Sequence, residues 1–147
     1  MRKILFAASI AMLCVGACVA QTVTVTSRKV TYTRKKPIAD FKRTFTVDYP
    51  RVKAATPALS RRIETAISHR TALGLNIQEE LGETQWLEEA DFEVLYNGRG
   101  ILTIELRMNG TGAYPSGTAK TVVIDTRSGR KITPAAAFRD LRGLSAL

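Results

Sequence analysis

The chain has little cysteine, and both cysteines lie near its amino end. Cys14 and Cys18 are the only two in the sequence. The rest of the chain therefore forms no internal disulfide and offers no thiolate pair to zinc. A cysteine nucleophile and thiol redox chemistry are excluded from the same region, because both require a thiol.

Histidine is also scarce, since His69 is the only one. The usual metal sets of histidines and carboxylates need a second imidazole. His69 falls within a predicted helix among arginines, which favours an exposed or partly packed ring over a catalytic base or metal ligand. No G-x-S-x-G motif is present, and Ser116 and Ser128 have no evident base partner. We predict no cofactor, no metal and no catalytic residue.

The first twenty residues have the layout of a secretory signal peptide. Arg2 and Lys3 precede an apolar run, residues 4–15, that is too short to span a bilayer. Residues 15–18 resemble a bacterial lipobox, in which Cys18 becomes the lipidated first residue and ties the protein to a membrane surface. Cleavage before Gln21 would instead release a soluble protein. Either way, we expect export to the periplasm or outer cell envelope.

Positive charge is in excess but unevenly placed. The formal net charge is +9. Residues 21–77 carry 12 basic and 3 acidic side chains, whereas residues 78–93 carry 7 acidic and no basic ones. A basic surface outside the cytoplasm favours anionic lipid or wall polymers over nucleic acid. The basic run at residues 34–36 has no interleaved aromatic residue, which also disfavours nucleic acid. The alternative interpretation is a set of solvated faces.

Two strands are predicted in the first part of the chain. β-branched residues alternate through residues 22–32, which favours a strand with a polar face, as at a sheet edge. The sequence Arg34-Lys35-Lys36-Pro37 then predicts an exposed turn. A second alternating run, residues 41–49, predicts a half-buried strand that Pro50 is expected to stop, because proline cannot donate to the next ladder bond.

A helix is predicted next. Thr56-Pro57 matches an N-cap followed by proline at the first helical position. Apolar residues recur at helical spacing through residues 59–73, and Gly74 is placed to end the helix. The following stretch, residues 75–87, fits two alternatives: a second short helix before Gly82, or a loop in which Trp86 and Leu87 fill the core.

Residues 91–133 predict three short strands with glycine-containing connections. Turns are expected at residues 97–100 and 127–129, and Thr133-Pro134 repeats the helix-start signal. Two side chains of the short helix that follows, Phe138 and Leu141, are expected to face inward. The predicted inward side chains of the strands are Phe92, Val94, Tyr96, Leu102, Ile104, Leu106, Met108, Val122 and Ile124.

The predicted class is α+β. Sequential strands joined by tight turns are antiparallel, so we expect a small antiparallel sheet of about five strands, one main amphipathic helix and a short C-terminal helix. A length of 147 residues suits one domain, residues 21–147, after the signal peptide. The apolar tail, residues 144–147, leads us to expect that the domain is truncated before a further element.

Six acidic residues lie before or at the start of the first strand predicted in residues 91–133. Such carboxylates can hold calcium or act in pairs in glycoside hydrolysis. The ordered spacing of a calcium loop is missing, which favours a solvated acidic face. The group consists of Glu79, Glu80, Glu83, Glu88, Glu89 and Asp91.

The sequence GTGAYPSG, residues 110–117, is the most informative loop. It places Tyr114 and Pro115 between Gly112 and Gly117, which sets an aromatic ring on a stiff turn. Such a ring can stack on a sugar face or anchor a protein partner. The alternative is that Tyr114 covers the edge of the core. The four residues are our candidate binding site.

Several short motifs, in order, resemble a bacterial envelope domain found in PdaC-type polysaccharide deacetylases and RsiV-type lysozyme-sensing anti-sigma factors. The motifs span about residues 30–141, and Tyr114 stands where that family often has histidine. The matches are Tyr49-Pro50, the helix through residues 59–67, Tyr96-Asn97, Gly112-Ala113-Tyr114-Pro115, Ile124-Asp125, Ser128-Gly129-Arg130 and Phe138-Arg139-Asp140-Leu141.

The resemblance implies a non-catalytic binding or sensing module. Deacetylation and sigma-factor control are not carried over, because no segment here matches those parts of the family. Peptidoglycan or a secreted lysozyme-like protein is the expected partner. Two alternatives stay open: a glycan hydrolase that uses Glu88, Glu89 or Asp91, and a truncated domain with no independent function.

Overall fold

The computed structural model describes residues 22–38 and 41–137, with side chains to residue 135. The signal peptide, Cys18, Phe138, Leu141 and the apolar tail lie outside these residues. The elements are β1 Thr24–Thr33, β2 Thr44–Lys53, α1 Pro57–Ala66, α2 His69–Leu73, α3 Ile77–Leu81, β3 Leu87–Gly98, β4 Ile101–Thr111, β5 Pro115–Asp125, β6 Arg130–Lys131 and α4 Pro134–Ala137.

The six strands form one sheet in sequence order, β1 to β6. Every neighbouring pair is antiparallel except β2 and β3, which run parallel with Val47 opposite Ala90. The predicted α+β class is confirmed. The sheet is mixed because α1, α2 and α3 carry the chain from the end of β2 back to the level at which β2 began, and such a crossover makes the strands parallel.

The predicted helix begins where expected but is divided in two. The Thr56 hydroxyl accepts a hydrogen bond from the Leu59 N–H at 3.2 Å, and Pro57 opens α1. α1 ends at Ala66, and Ser68 caps α2 by accepting from the Thr71 N–H. Gly74 ends α2 with φ +77°, a left-handed conformation that glycine adopts without strain.

Of the two alternatives for the next stretch, the chain adopts the short helix, α3, which Asn76 caps. Among the described residues, no helix has the length and apolar character needed to cross a membrane.

The core consists of two clusters that the helices cover. The predicted inward residues of β4 and β5 are all buried, which confirms the alternation predicted there. One cluster contains Val23, Val52, Ile63, Ile67, Ala72, Leu102, Ile104, Leu106, Val122 and Ile124. The other contains Phe45, Val47, Leu75, Leu87, Ala90 and Met108.

Two strand predictions were wrong in detail. β2 continues through Pro50 to Lys53, because its pairing with β3 covers only Thr46 and Val47 and the missing N–H costs little beyond that point. β3 has an irregularity between Val94 and Tyr96, which places Tyr96 opposite Thr103. Val94 and Tyr96 are therefore exposed by 38% and 45% instead of facing inward.

The predicted exposed turn at residues 34–37 was wrong for Arg34, whose side chain is fully buried. Its guanidinium donates to the carbonyl oxygens of Glu80 at 2.9 Å, Lys42 at 2.6 Å and Leu87 at 2.7 Å. It also pairs with the Glu80 carboxylate at 3.4 Å and lies 4.8 Å from the centre of the Phe45 ring. These contacts fasten the end of β1 to α3 and to the start of β3.

Candidate functional site

The candidate site is the turn between β4 and β5, here called the hairpin tip, residues 111–115. Thr111 pairs with Pro115, so the loop itself has three residues. The Gly112 N–H donates to the Tyr114 carbonyl oxygen at 3.3 Å, which closes the turn. The Tyr114 side chain is 83% exposed. Its ring therefore projects into solvent and does not cover the core.

Trp86 joins this site, although sequence reasoning considered it only as a core residue. Its indole N–H donates to the Ser116 hydroxyl oxygen at 2.9 Å, and its carbonyl oxygen accepts from the Thr111 N–H at 3.0 Å. The ring is half-buried and lies beside the loop: a Cβ atom on Gly112 would be 3.7 Å from Trp86 Cδ1. The tip therefore carries two aromatic side chains.

Gly110 explains how Trp86 lies so close to β4. A Cβ atom at this position would be 2.1 Å from the Trp86 carbonyl oxygen and 2.8 Å from its ring. Only glycine permits that approach. Gly110 within β4 is the signal in the sequence that a bulky neighbour packs closely against this end of the strand.

The four predicted site residues are divided between the loop and β5. Gly112 and Tyr114 belong to the loop, whereas Pro115 begins β5 and Gly117 lies two residues further along it. Gly117 is opposite Asn109, and a Cβ atom there would be 2.5 Å from Asn109 Oδ1. Gly117 thus allows Asn109 its place on β4 and lies outside the turn.

A carboxylate and an ammonium group lie near the tip. Glu88 forms an ion pair with Lys42, and the Lys42 hydrogen bond, with a further one from Thr111, lowers the pKa of Glu88. Glu88 is therefore ionised at neutral pH. A general acid needs the opposite shift, a pKa raised towards the working pH.

The other acidic residues do not converge on one point. Glu89 pairs with Lys29 at 3.5 Å, whereas Asp91 and Glu93 both pair with Arg107, at 2.8 and 3.2 Å. The hydrogen bond and charge of Asp91 raise the pKa of Arg107. Within residues 22–38 and 41–137, no group of three or more His, Cys, Asp or Glu side chains is placed to hold a metal ion.

Glu80 corrects the prediction of a solvated acidic face. It is buried, and its carboxylate accepts from the Leu87 N–H at 2.8 Å besides pairing with Arg34. Glu79 and Glu83 remain exposed on and after α3. The acidic residues therefore have different structural roles and do not form a single carboxylate surface.

His69 also differs from its prediction, because it is 1% exposed at the start of α2. Its Nε2–H donates to the Asp91 carbonyl oxygen at 2.7 Å, and Nδ1 is buried without a hydrogen-bond partner. Burial lowers the pKa of the ring. His69 thus joins α2 to β3 as a buried, neutral side chain.

No family model matches the sequence, and no curated protein matches it. Several solved structures match the fold, and two of them are described here. A DUF3298 family protein from Pseudomonas aeruginosa PAO1 aligns with a TM-score of 0.53 at 13% identity, over 78% of this chain and 56% of that one. A DUF3298 member from Bacteroides fragilis aligns with a TM-score of 0.49 at 12% identity, over 80% and 61%.

The likeness at these identities concerns the fold alone. The chain spans 56% of the length of the Pseudomonas protein and 61% of the Bacteroides one. Both are named as members of the DUF3298 family, and at these identities neither the family name nor a role passes to this chain. The link to polysaccharide deacetylases and anti-sigma factors is not carried by these two structures.

Proposed function

We propose that the protein is a non-catalytic binding module of the cell envelope that recognises a wall polymer through its hairpin tip. The observation that carries this proposal is the 83% exposure of Tyr114 at the end of a closed turn. Tyrosine is enriched at binding interfaces, where its ring supplies contact area and its hydroxyl a hydrogen bond.

The chemistry of the tip suits a glycan. An aromatic ring offers an apolar face to the C–H groups of a sugar, and its hydroxyl or N–H end bonds to hydroxyl groups. Tyr114 supplies an exposed ring, whereas the Ser116 hydrogen bond fixes the orientation of Trp86. Because Trp86 is held before a ligand arrives, its ordering adds no cost to binding.

A binding role also agrees with the state of the carboxylates. Hydrolysis of a glycoside needs two carboxyl groups about 5–10 Å apart, one of them protonated. The hydrolase candidates Glu88, Glu89 and Asp91 pair with three different cations, Lys42, Lys29 and Arg107. These ion pairs stabilise the charged forms, which favours structural roles for all three.

Export supports the choice of a wall polymer as ligand. The signal-peptide pattern of residues 1–20 would deliver the domain to the compartment where peptidoglycan lies. The net positive charge favours an anionic polymer. The resemblance to the envelope domain of PdaC-type and RsiV-type proteins supports the same compartment.

Cosedimentation with purified peptidoglycan sacculi tests the proposal. We expect the protein to be retained, and Tyr114→Ala to reduce retention about tenfold, as loss of an aromatic anchor typically does. Tyr96→Ala is the matched control, because Tyr96 is also an exposed tyrosine but lies in β3, near the end of β4 that is remote from the tip.

A parallel arm with immobilised lysozyme separates the two predicted ligand classes. Retention by lysozyme alone, sensitive to Tyr114→Ala, would keep the tip as the site and replace the polymer with a secreted protein. Retention by neither material would contradict the proposed function.

A further inference from the structure

β5 has a partner along its whole length on one side only. β4 pairs with it from Pro115 to Asp125, but β6 pairs only with Ile124 and Asp125. The Ile132 N–H adds one more bond, to the Val123 carbonyl oxygen at 2.8 Å. In the described part of the chain, nothing pairs with the remaining side of β5, residues 115–121, here called the β5 edge.

The hydrogen bond from Ile132 to Val123 shows which way the backbone groups of the β5 edge point. Because Val123 accepts from Ile132, its backbone polar groups point away from β4. The register between β4 and β5 is regular, so alternate residues share that orientation. Gly117, Ala119 and Thr121 therefore present three N–H donors and three C=O acceptors at the edge. Such a row is a template for an added strand.

The chain starts to cover this edge and then leaves it. β6 runs antiparallel to β5, and its continuation past Ile132 would lie along Thr121. Pro134 prevents that, because it has no N–H and opens α4. A cavity of about 340 Å³ lies at the point of departure, between residues 120–123 and residues 131–134.

The lining of this cavity indicates the kind of segment that fits. Val122, Ile132 and Pro134 supply apolar contacts, and Lys120 and Lys131 supply positive charge. Neither lysine forms an ion pair with another described residue. An acidic side chain on an incoming strand would form ion pairs with both lysines.

Small side chains leave the β5 edge open to approach. Gly117, Ala119 and Thr121 project from one face of the strand, and Ser116 and Thr118 from the other. Lys120 is the only charged residue of the edge. Pro115, which lacks an N–H, and Lys120 lie towards the two ends of the edge, so the unprotected row consists of Gly117, Ala119 and Thr121.

We propose that the β5 edge binds an extended, acidic segment of a partner protein as an additional antiparallel strand. The segment continues the line of β6, pairs with Gly117, Ala119 and Thr121, and places an acidic side chain between Lys120 and Lys131. This site is distinct from the hairpin tip and goes beyond the proposed wall-polymer binding.

A second copy of the chain is a poorer occupant. Pairing of two β5 edges would leave Lys120 and Lys131 of both copies without negative partners. An acidic peptide meets the hydrogen-bonding row and the charge together.

Fluorescence anisotropy with a synthetic peptide tests the proposal on protein purified from cells that express the full chain. The probe has seven residues of alternating threonine and valine, with one glutamate near its amino end. We expect saturable binding. Ala119→Pro removes an N–H that points away from β4. The loss of that hydrogen bond, together with the bulk of the proline ring, should weaken binding about tenfold. Ala119→Thr keeps the N–H and should bind within about twofold of wild type.

Three further measurements decide the outcome. Lys131→Glu should weaken binding of the glutamate peptide and strengthen binding of a matched lysine peptide. A peptide N-methylated at every residue offers no N–H from either edge and should not bind, and this arm holds even if Ala119→Pro fails to fold. No binding by wild type, or equal binding by the N-methylated peptide, would overturn the proposal. Dimerisation in sedimentation that Ala119→Pro abolishes would also overturn it, in favour of a second copy.

Discussion

At the scale of single residues, His69 is a buried titratable side chain whose environment makes stability depend on pH. Burial lowers its pKa below 6.5 and outweighs the opposing effects of the Asp91 carbonyl and of the Asp91 and Asp48 charges. The unfolded chain therefore takes up a proton at a pH where the folded protein does not. The stability that the buried neutral His69 contributes is fully present above about pH 6.5 and is lost as the pH falls towards the pKa of the folded state.

We predict that His69→Gln removes most of the pH dependence of stability between pH 7.5 and 5.5. Glutamine retains an N–H for Asp91 but does not titrate in this range. Glu88 and Asp125 do not interfere, because hydrogen bonds lower their pKa from 4.5 and 3.8. Urea unfolding at both pH values measures the effect, and an equal fall in stability in wild type and variant would contradict it.

Gly110 gives a second prediction at this scale. Gly110→Ala places a Cβ atom 2.1 Å from the Trp86 carbonyl oxygen, a backbone atom that cannot turn aside. We expect the free energy of unfolding to fall by about 1–3 kcal/mol. Gly112→Ala is the control, since its Cβ has 3.7 Å of room, and it should change stability by about 0.5 kcal/mol or less. Similar melting temperatures of the two variants would show that Trp86 does not lie tightly against Gly110.

Tyr114 and Trp86 show what single residues reveal before the fold is known. Tyr114 stands between turn-forming residues, so local chemistry alone predicted its place on a turn. The place of Trp86 depends on which strand β3 pairs with. Because Ser116 is remote from Trp86 in sequence, no local pattern predicts the hydrogen bond between them.

At the scale of elements, the buried Arg34–Glu80 pair fastens three segments together. We predict that Arg34→Met lowers the free energy of unfolding by about 3–5 kcal/mol, because Glu80 and three carbonyl oxygens lose their charged donor inside the protein. Lys35→Met is the matched control, since Lys35 is exposed, and it should cost about 0.5 kcal/mol or less. Chemical unfolding followed by circular dichroism compares them, and equal stabilities would contradict the role.

Elements with a local cause were predictable from sequence. The Thr56-Pro57 start, the Gly74 end and the alternation of β4 rest on neighbours within a few residues. The parallel pairing of β2 with β3 was not predictable, because it depends on where three helices return the chain. Arg34 looked like part of a basic surface, since its partner Glu80 lies 46 residues away.

At the scale of the whole molecule, the location of the protein depends on residues outside the described part. We predict that labelled palmitate is incorporated in wild type and in Cys14→Ala, but not in Cys18→Ala, because only Cys18 follows the small residues of the lipobox. Cys14→Ala controls for any general effect of changing the leader. Absence of label from wild type would favour cleavage before Gln21 and a soluble protein.

The central claim is that the hairpin tip binds glycan, and Trp86 provides a direct reporter because it is the only tryptophan. The measurement is a titration of Trp86 fluorescence with soluble peptidoglycan fragments. We predict a saturable change in wild type and in Tyr96→Ala that is lost in Tyr114→Ala. An equal change in Tyr114→Ala, or retention on sacculi with no change in Trp86 emission, would contradict it.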